Sequence, residues 1–364
     1  MADLLVEKDF AIPQHPWSTD VRVLRWDQFR YHQGSGDMWP LTWATDGNMY
    51  GGAGDNRASP MNFWRIRGGP NWDHVSHQND WFLDLVDNLP LDPKVYCTDP
   101  RVDRDMGIKP AGLVDIGGTL YFAVETQNYG TEPTFNRQTN IHGWFITSRD
   151  YGKHWDIDAS AQGFFTGRLA SCHLLQAGRG DDNVLDGFVY AYFPCGYDGG
   201  SYWENGDALL LGRVSPRAIL DRGGWEFFVG AAHGKTTWSP DEKNASYVFE
   251  YPDMTGEDHV SYNAGIKRFL LGNYGFLNDA LRPRPNHQGT WPEGAIRSQL
   301  TLFEAERPWG PWRLFHRDDN WGKYGDYQPS FPVKWMTADG KTMAMVSSGT
   351  YDDYNFTVQK LFLC

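Results

Sequence analysis

The 364-residue sequence is poor in cysteine and contains no long apolar run. Its four cysteines are too few for a disulfide-rich scaffold, and no two of them have the Cys-x-x-Cys spacing of a metal-binding knuckle. Every apolar run is shorter than ten residues, whereas a membrane-spanning helix needs about 20 apolar residues. Residues 1–8 lack the basic and apolar pattern of a secretory signal peptide.

Positive charge is also scarce. Lys and Arg total 33 against 46 Asp and Glu, which gives a net charge of −13. A basic surface for nucleic acid or anionic lipid is therefore not expected, and we expect neither nucleic acid nor a membrane as a partner. No phosphate-binding glycine loop, HExxH zinc motif or nucleophile elbow occurs in a suitable context.

Aromatic residues and glycine are abundant instead, with 17 Trp, 18 Tyr, 21 Phe and 40 Gly. This composition favours many short strands joined by tight turns. It also favours aromatic surfaces that stack on the apolar faces of sugar rings. Two N-x-S/T sequons, at Asn244 and Asn355, fit a secreted or extracellular protein whose signal peptide is not part of this sequence.

A β-hairpin unit recurs five times along the chain. Its turns, most of them Asp-Gly or Gly-Gly, lie near residues 47, 118, 187, 265 and 340, a spacing of about 70–78 residues. Most hairpins precede a third strand, a turn and a tryptophan, so each unit has four strands, as a propeller blade does. The sequence predicts an all-β, five-bladed β-propeller with four antiparallel strands per blade. Residues 1–364 form one domain, with blades near 35–105, 106–168, 169–257, 258–325 and 326–364 plus 20–30.

Two further features support the propeller fold, one at the closure of the ring and one at a hairpin corner. The fifth unit ends after three strands, and Val21–Trp26 can supply the fourth, which leaves no open sheet edge at the seam. Residues 148–155 fit S-x-D-x-G-x-x-W, the Asp-box of sialidase-like propellers. In that motif Ser148 and Asp150 bind turn amides, Gly152 takes a positive φ, and Trp155 packs between strands, so Asp150 is predicted to be structural.

Residues 39–55, 261–269 and 303–312 resemble a little-characterised group of secreted propeller proteins, and the likeness covers roughly residues 35–363. The Pro-Trp-Gly-Pro-Trp block at 308–312 is its most specific part. This group is similar to the five-bladed arabinanases and furanosidases of glycoside hydrolase family 43 and to endo-D-arabinofuranases. The resemblance implies carbohydrate cleavage, and it places Asp37 where family 43 carries its first catalytic Asp. The second Asp and the Glu acid of that family have no clean match.

The direction of the strands predicts where a site lies. Propeller ligands bind at the axis on the face where inner strands begin, so functional residues precede the first strand of each hairpin or follow the second. Asp46, Asp186 and Asp339 lie at the turns and are predicted to be structural. Cys172 and Cys195 should lie at one rim, with Cα atoms roughly within 7 Å of each other.

This rule selects four catalytic candidates, Asp37, Asp55, Glu125 and His173. Asp37 is the expected base, and Asp55 or Glu125 is the expected acid, because glycoside hydrolysis needs one ionised and one protonated carboxyl. The expected substrate-binding residues are aromatic, hydrogen-bonding or cationic: Trp39, Trp43, Lys109, Tyr262, Asn263, Arg268 and Tyr351. The same rule also points to Asp198, Asp258, His259, Asn273 and Gln328.

The leading function is a glycoside hydrolase acting on a polysaccharide or oligosaccharide. The alternative is a polysaccharide lyase in which His173 and Tyr262 move protons while Lys109 and Arg268 neutralise a uronate. A non-catalytic glycan-binding propeller would repeat its ligand residues in each blade, and these five rims differ. A sialidase would need several convergent arginines. No cofactor is required and no metal ligand is assigned, although a Ca²⁺ on the axis is compatible with the many oxygen ligands.

Overall fold

The computed structural model describes residues 15–56, 59–70, 80–102, 107–128, 139–204, 206–277, 297–323, 326–349 and 355–364. Strands dominate these ranges, and they form five small antiparallel sheets arranged as the five blades of a propeller ring. The predicted fold class is therefore confirmed. No helix in the described part of the chain is long and apolar enough to cross a membrane.

The first strand, β1 (Val23–Gln33), lies in the last blade rather than the first. Blade 1 contains four strands in chain order, namely β2 (Leu41–Trp43), β3 (Met49–Asn56), β4 (Ser59–Gly68) and β5 (Trp81–Asn88). The short helix α1 (Pro93–Tyr96) follows, and its N-cap Asp92 accepts a hydrogen bond from the Lys94 amide.

Blades 2 and 3 carry extra short strands. Blade 2 is built from β6 (Ile108–Ile116), β7 (Thr119–Gln127), β8 (Thr139–Ser148) and β9 (Phe165–Thr166). Blade 3 is built from β10 (His173–Leu174), β11 (Val189–Cys195), β13 (Gly206–Val214), β14 (Glu226–Ala232), β15 (Lys235–Ser239) and β16 (Tyr247–Thr255). Between β11 and β13, strand β12 (Ser201–Tyr202) crosses to β8 and ties blade 3 to blade 2.

Blades 4 and 5 complete the ring. Blade 4 contains β17 (His259–Asn263), β18 (Arg268–Leu277), β19 (Arg297–Ala305) and β20 (Arg313–Lys323). Blade 5 contains β21 (Tyr327–Ser330), β22 (Thr342–Ser348) and β23 (Phe356–Leu363), with β1 as its outer strand. Val23 lies opposite Leu363, so the N-terminal strand closes the ring as predicted, although it begins two residues later and extends further.

Short 3₁₀ turns connect several of these strands. They comprise Gly167–Leu169, Gly180–Asn183, Pro216–Ala218, Arg222–Gly224, Glu242–Asn244 and Val333–Trp335. The core lies between neighbouring blades, where large aromatic side chains such as Trp81, Trp144 and Trp225 are buried. This packing holds the inner strands in position around the axis.

The Asp-box shows how one such seam is made. The Ser148 hydroxyl accepts a hydrogen bond from the Gly152 amide at 2.8 Å, and Asp150 accepts one from the His154 amide at 2.9 Å. Gly152 has φ +91°, and a Cβ there would lie 2.4 Å from the Phe63 ring of blade 1. The Trp155 ring packs edge-on against Phe63 at 4.9 Å. The motif is therefore structural, as predicted, and it seals blade 2 against blade 1.

Strand polarity around the two central cysteines also agrees with the prediction. Cys172 precedes β10 and Cys195 ends β11, and His173 lies opposite Tyr192 in this antiparallel pair, so both cysteines lie at the same end. Both thiols are buried and free. The separation of their Cα atoms stays a prediction.

Candidate active site

Five inner strands surround the axis, and the first residues of these strands come together at one face. They are β2, β6, β10, β17 and β21, each of which forms the inner edge of its sheet. Neighbouring inner strands contact one another around most of the ring. Side chains placed at the start of these strands therefore meet, although the chain separates them widely.

Asp37 is held at this face by the backbone of its own blade. Its amide donates to the Gly54 carbonyl at 2.9 Å, and the Gly54 amide donates to the Asp37 carbonyl at 2.8 Å. A Cβ on Gly54 would lie 2.8 Å from Asp37 Oδ1, so only glycine leaves room for the carboxyl. Asp37 Oδ2 accepts a 2.6 Å hydrogen bond from the Tyr327 hydroxyl of blade 5. Oδ1 is buried and has no hydrogen-bond partner among the described residues.

The surroundings of Asp37 change its acidity. Burial and then the neighbouring Asp55 carboxylate raise the pKa of Asp37 to about 7, against the opposing effects of Lys109 and Tyr327. An aspartate with a pKa near 7 changes its charge around neutral pH. Such a group is suited to proton transfer.

Asp55 and Lys109 form a buried salt bridge that joins blade 1 to blade 2. Their side chains are 8% and 2% exposed. Asp55 has φ +46°, a left-handed conformation that is uncommon for a residue other than glycine. Lys109 lies opposite Glu125 on the neighbouring strand, so the ammonium group lies among carboxylates. The structure thus brings together three of the predicted residues and Asp37.

A second carboxyl pair lies next to this salt bridge. Glu125 Oε1 accepts a 2.9 Å hydrogen bond from Gln127, while Glu257 accepts from Gln328 at 2.7 Å and from Asn140 at 3.3 Å. Burial raises the pKa of Glu125. Burial, followed by the charge of Glu125 and a hydrogen bond with it, raises the pKa of Glu257 well above its usual value. The two carboxyls therefore titrate together, and burial favours the form in which they share a proton.

Two histidines complete the inner end of the cluster. His173 Nε2 is 2.7 Å from the Ser171 hydroxyl, and the His173 and His259 rings lie 4.9 Å apart with their planes tilted by 58°. Burial lowers the pKa of His173 well below its usual value and lowers the pKa of His259 to about 4. Both imidazoles are therefore neutral at pH 7.

Three predicted substrate-binding residues lie at the opposite end of blade 4. Asn263 is paired with Arg268 across the hairpin turn, and Asn263 Nδ2 donates to the Gly340 carbonyl at 2.9 Å. Arg268 forms salt bridges with Glu304 at 2.9 Å and with Asp20 at 3.0 Å. Tyr262 packs against Phe269. Since a strand rises about 3.3 Å per residue, Asn263 lies about 13 Å along β17 from His259 and outside the axial cluster.

The two predicted tryptophans also fall outside this cluster. Trp39 is buried in the core beside Phe356, and Trp39 Nε1 donates to the Gly36 carbonyl at 3.1 Å. Trp43 lies opposite Met49, close to the hairpin turn of blade 1. Neither indole is therefore a sugar platform beside the carboxyls. Tyr351 lies outside the described residues.

Sequence reasoning missed Glu257 and Tyr327. Glu257 lies two residues before β17 and Tyr327 begins β21, so the positional rule that selected Asp258 and Gln328 could have found both. Asp258 and Asn273 form a separate buried contact, in which Asn273 Nδ2 donates to Asp258 Oδ2 at 2.8 Å. Among the described residues no group of three or more His, Cys, Asp or Glu is arranged to hold a metal ion. The axial Ca²⁺ stays a prediction.

The fold and these contacts define a five-bladed β-propeller with a buried acidic cluster on its axis. No protein family and no curated protein matches the sequence. Among solved structures, a presumed hydrolase from Bacteroides ovatus ATCC 8483 is similar with a TM-score of 0.51 and 13% identity, and the match covers 92% of this chain and 87% of that one.

Two further solved structures are similar at lower scores. An endo-arabinase from Bacteroides thetaiotaomicron VPI-5482 gives a TM-score of 0.47 at 9% identity, covering 91% of this chain and 95% of the other. A family-43, subfamily-12 protein from a capybara gut metagenome gives 0.44 at 12% identity, covering 95% and 53%. Likeness at such identities concerns the fold.

Proposed function

We propose that this protein is a glycoside hydrolase that cleaves a polysaccharide or oligosaccharide at the strand-start end of the propeller axis. The observation that carries the proposal is the pairing of two kinds of buried carboxyl in one cluster. Asp37 has a pKa of about 7, while the Glu125–Glu257 pair retains a proton well above the usual range of glutamate. Glycoside hydrolysis needs one ionised and one protonated carboxyl at the same time.

In this proposal the Glu125–Glu257 pair is the acid. It donates its proton to the glycosidic oxygen as the bond to the anomeric carbon breaks. Ionised Asp37 takes a proton from the water that attacks that carbon, so the water supplies OH to one product and the pair supplies H to the other. The Tyr327 hydroxyl orients Asp37 through Oδ2, which leaves Oδ1 to receive the proton.

The buried Asp55–Lys109 salt bridge has a different place in this scheme. Asp55 is held by the ammonium group and supplies a fixed negative charge that raises the pKa of Asp37. We therefore assign proton donation to the Glu125–Glu257 pair rather than to Asp55. The positive charge of Lys109 partly compensates the negative charge of this group of carboxyls.

The positions of Tyr262 and Arg268 do not support the lyase alternative. It requires Tyr262 and Arg268 beside His173, and both lie at the turn end of β17 and β18, bound to other residues. The glycan-binding alternative expects equivalent ligands in each blade. The five strand starts instead carry different groups, which fits a single asymmetric site.

A panel of neutral and uronate-containing polysaccharides tests the proposal. Each reaction is followed both by new reducing ends and by the ultraviolet absorbance of an unsaturated uronide, with Asp37→Asn as the inactive variant and Asp46→Asn as the matched control. We expect new reducing ends without the ultraviolet product, and loss of the reaction only in Asp37→Asn. Appearance of the unsaturated product would establish a lyase, and binding without any cleavage would establish a lectin.

A further inference from the structure

An open channel lies behind the carboxyl cluster, on the turn side of the axis. Its enclosed volume is about 20 Å³, room for about one water molecule, and it is bounded by residues from all five blades. Most of its wall is apolar: Pro40, Leu41, Trp43, Met49, Leu113, Leu174, Phe331, Pro332 and Val333. Ser330 and His259 are among its polar residues, and in each a buried atom, Ser330 Oγ or His259 Nε2, has no hydrogen-bond partner within the described ranges.

His259 connects this channel to the interior of the site. Its ring lies 4.9 Å from the ring of His173, whose Nε2 is 2.7 Å from the Ser171 hydroxyl. The Ser171 hydroxyl faces the Glu125 carboxyl, which in turn interacts with Glu257. Neighbouring polar groups therefore extend from the channel wall to the carboxyl pair that we assign as the acid, and among the described residues the two imidazoles are joined by a ring contact rather than by a hydrogen bond.

The hydrogen bonds of the two histidines are incomplete. His173 Nδ1 and His259 Nε2 are both buried, and neither has a partner in the part of the chain that the structure describes. A histidine that only fills the core satisfies its ring nitrogens with neighbouring groups, because an unpaired buried polar atom is costly. Two unpaired nitrogens in adjacent rings, one ring lining a channel, are in a position to bind water.

We propose that His259, His173 and Ser171 form a proton path from the turn-side channel to the Glu125–Glu257 pair. The path would reprotonate the acid while sugar occupies the opposite end of the axis. This proposal rests on the proposed hydrolase function and adds residues with no contact to substrate.

The transfer balances at every step. After cleavage the pair carries one extra negative charge, and Asp37 holds the proton taken from water. A proton from the channel enters at His259 and reaches His173 through a water molecule that bridges the two rings. His173 then passes one to Ser171, and the hydroxyl passes one to Glu125. Asp37 releases its proton to solvent, so no net charge accumulates. Neutral imidazoles suit this role because each has one nitrogen that donates and one that accepts.

The kinetic test removes the imidazole of His259, at the channel end of the path, and then supplies imidazole from solution. His259→Ala should lower kcat by about 10²-fold with little change in KM, because proton delivery and not substrate binding is lost. Added imidazole should restore much of the rate by entering the channel, and His259→Phe, which fills the space, should resist rescue. Ser261→Ala, which alters the same channel wall outside the path, should behave as the wild type.

A second measurement does not depend on the substrate. In ¹⁵N-labelled protein, the His173 ring N–H should exchange with solvent faster in the wild type than in His259→Phe, and Ser261→Ala should again match the wild type. Equal exchange rates, or a His259→Ala variant that folds but keeps its kcat or gains nothing from imidazole, would overturn the proton path. Absence of any glycan cleavage by the wild type would instead overturn the hydrolase function.

Discussion

Carboxylates occur at both ends of this propeller, but their surroundings differ. At the turn end, Asp46 is exposed and accepts hydrogen bonds from Asn48 and the Tyr50 hydroxyl. Hydrogen bonds from Thr337 and the Lys341 amide lower the pKa of Asp339, which lies in the same type of turn. At the strand-start end, burial raises the pKa values of Asp37 and Glu257.

The difference lies in desolvation and in the number of available donors. A turn exposes its carboxylate and offers backbone amides, and both favour the charged form. The strand starts converge on the axis and remove the carboxyls from water without supplying enough donors. Residue type and distance from a strand are therefore poor guides to function here. The end of the ring at which a residue lies is the better guide.

Of the substitutions that compare the two ends of the propeller, Asp37→Asn should have the largest effect, which is on activity. Asparagine keeps the shape and can still accept from Tyr327, but it cannot take a proton, so hydrolysis should fall by roughly 10²–10⁴-fold with folding preserved. The rate is measured on the best substrate of the glycan panel. Normal activity in Asp37→Asn together with an inactive Asp46→Asn would reverse the assignment of the two ends.

A large loss of stability should follow Lys109→Met, because it leaves the Asp55 carboxylate buried without its partner. Breaking a buried ion pair in this way costs about 3–5 kcal/mol, measured as the free energy of unfolding in denaturant at neutral pH. The matched control is Arg67→Met, which removes a cation from the largely exposed pair with Asp84. That change should cost no more than about 1 kcal/mol. Equal losses in the two variants would show that the axial pair is not effectively buried.

The pH dependence of stability should distinguish the wild type from Asp37→Asn. The folded pKa of Asp37, about 7, exceeds its unfolded value, so the folded state binds more protons between about pH 4 and pH 7. Stability from this group is present at pH 4 and is lost as pH rises to 7, by at most about 4 kcal/mol. The free energy of unfolding, measured by denaturation at pH 5 and at pH 8, should decrease less between these pH values in Asp37→Asn than in the wild type. An unchanged decrease would place the pKa of Asp37 near its ordinary value.

The smallest effect is expected for Asp46→Asn. Its side-chain oxygen can still accept from the Asn48 amide, and the site is exposed, so unfolding free energy should change by less than about 1 kcal/mol. Activity should match the wild type. A severe loss of activity would mean that the turn end takes part in catalysis.

The parts of the fold that depend on local chemistry were predictable from the sequence. Four of the five hairpin turns are marked by Asp-Gly or Gly-Gly, and Gly47, Gly118, Gly187 and Gly340 in them all adopt positive φ. The repeat spacing then predicts five blades, and the unpaired final strand predicts closure by the N-terminus. The Asp-box is likewise a local device whose hydrogen bonds span only a few residues.

Only part of the site could be predicted, because some of its contacts join residues that are far apart in the chain. Asp37, Asp55, Lys109 and Glu125 lie on two consecutive blades, and the position of each relative to its strand was enough to select it. The contact of Glu125 with Glu257 joins blades 2 and 4, and no local pattern reports a contact made across the axis.

By itself, therefore, the sequence determined where the chain turns, how many blades it forms and which carboxylates lie at the turns. Only the tertiary structure decided which polar groups lose water. Asn263 was selected as a residue at the start of an inner strand, but β17 runs from His259 to Asn263, and a rise of about 3.3 Å per residue takes Asn263 away from the site. Glu257 carries no motif, yet ring closure buries it against Glu125. Local conformation follows from neighbours in the chain, whereas desolvation and pKa depend on neighbours in space.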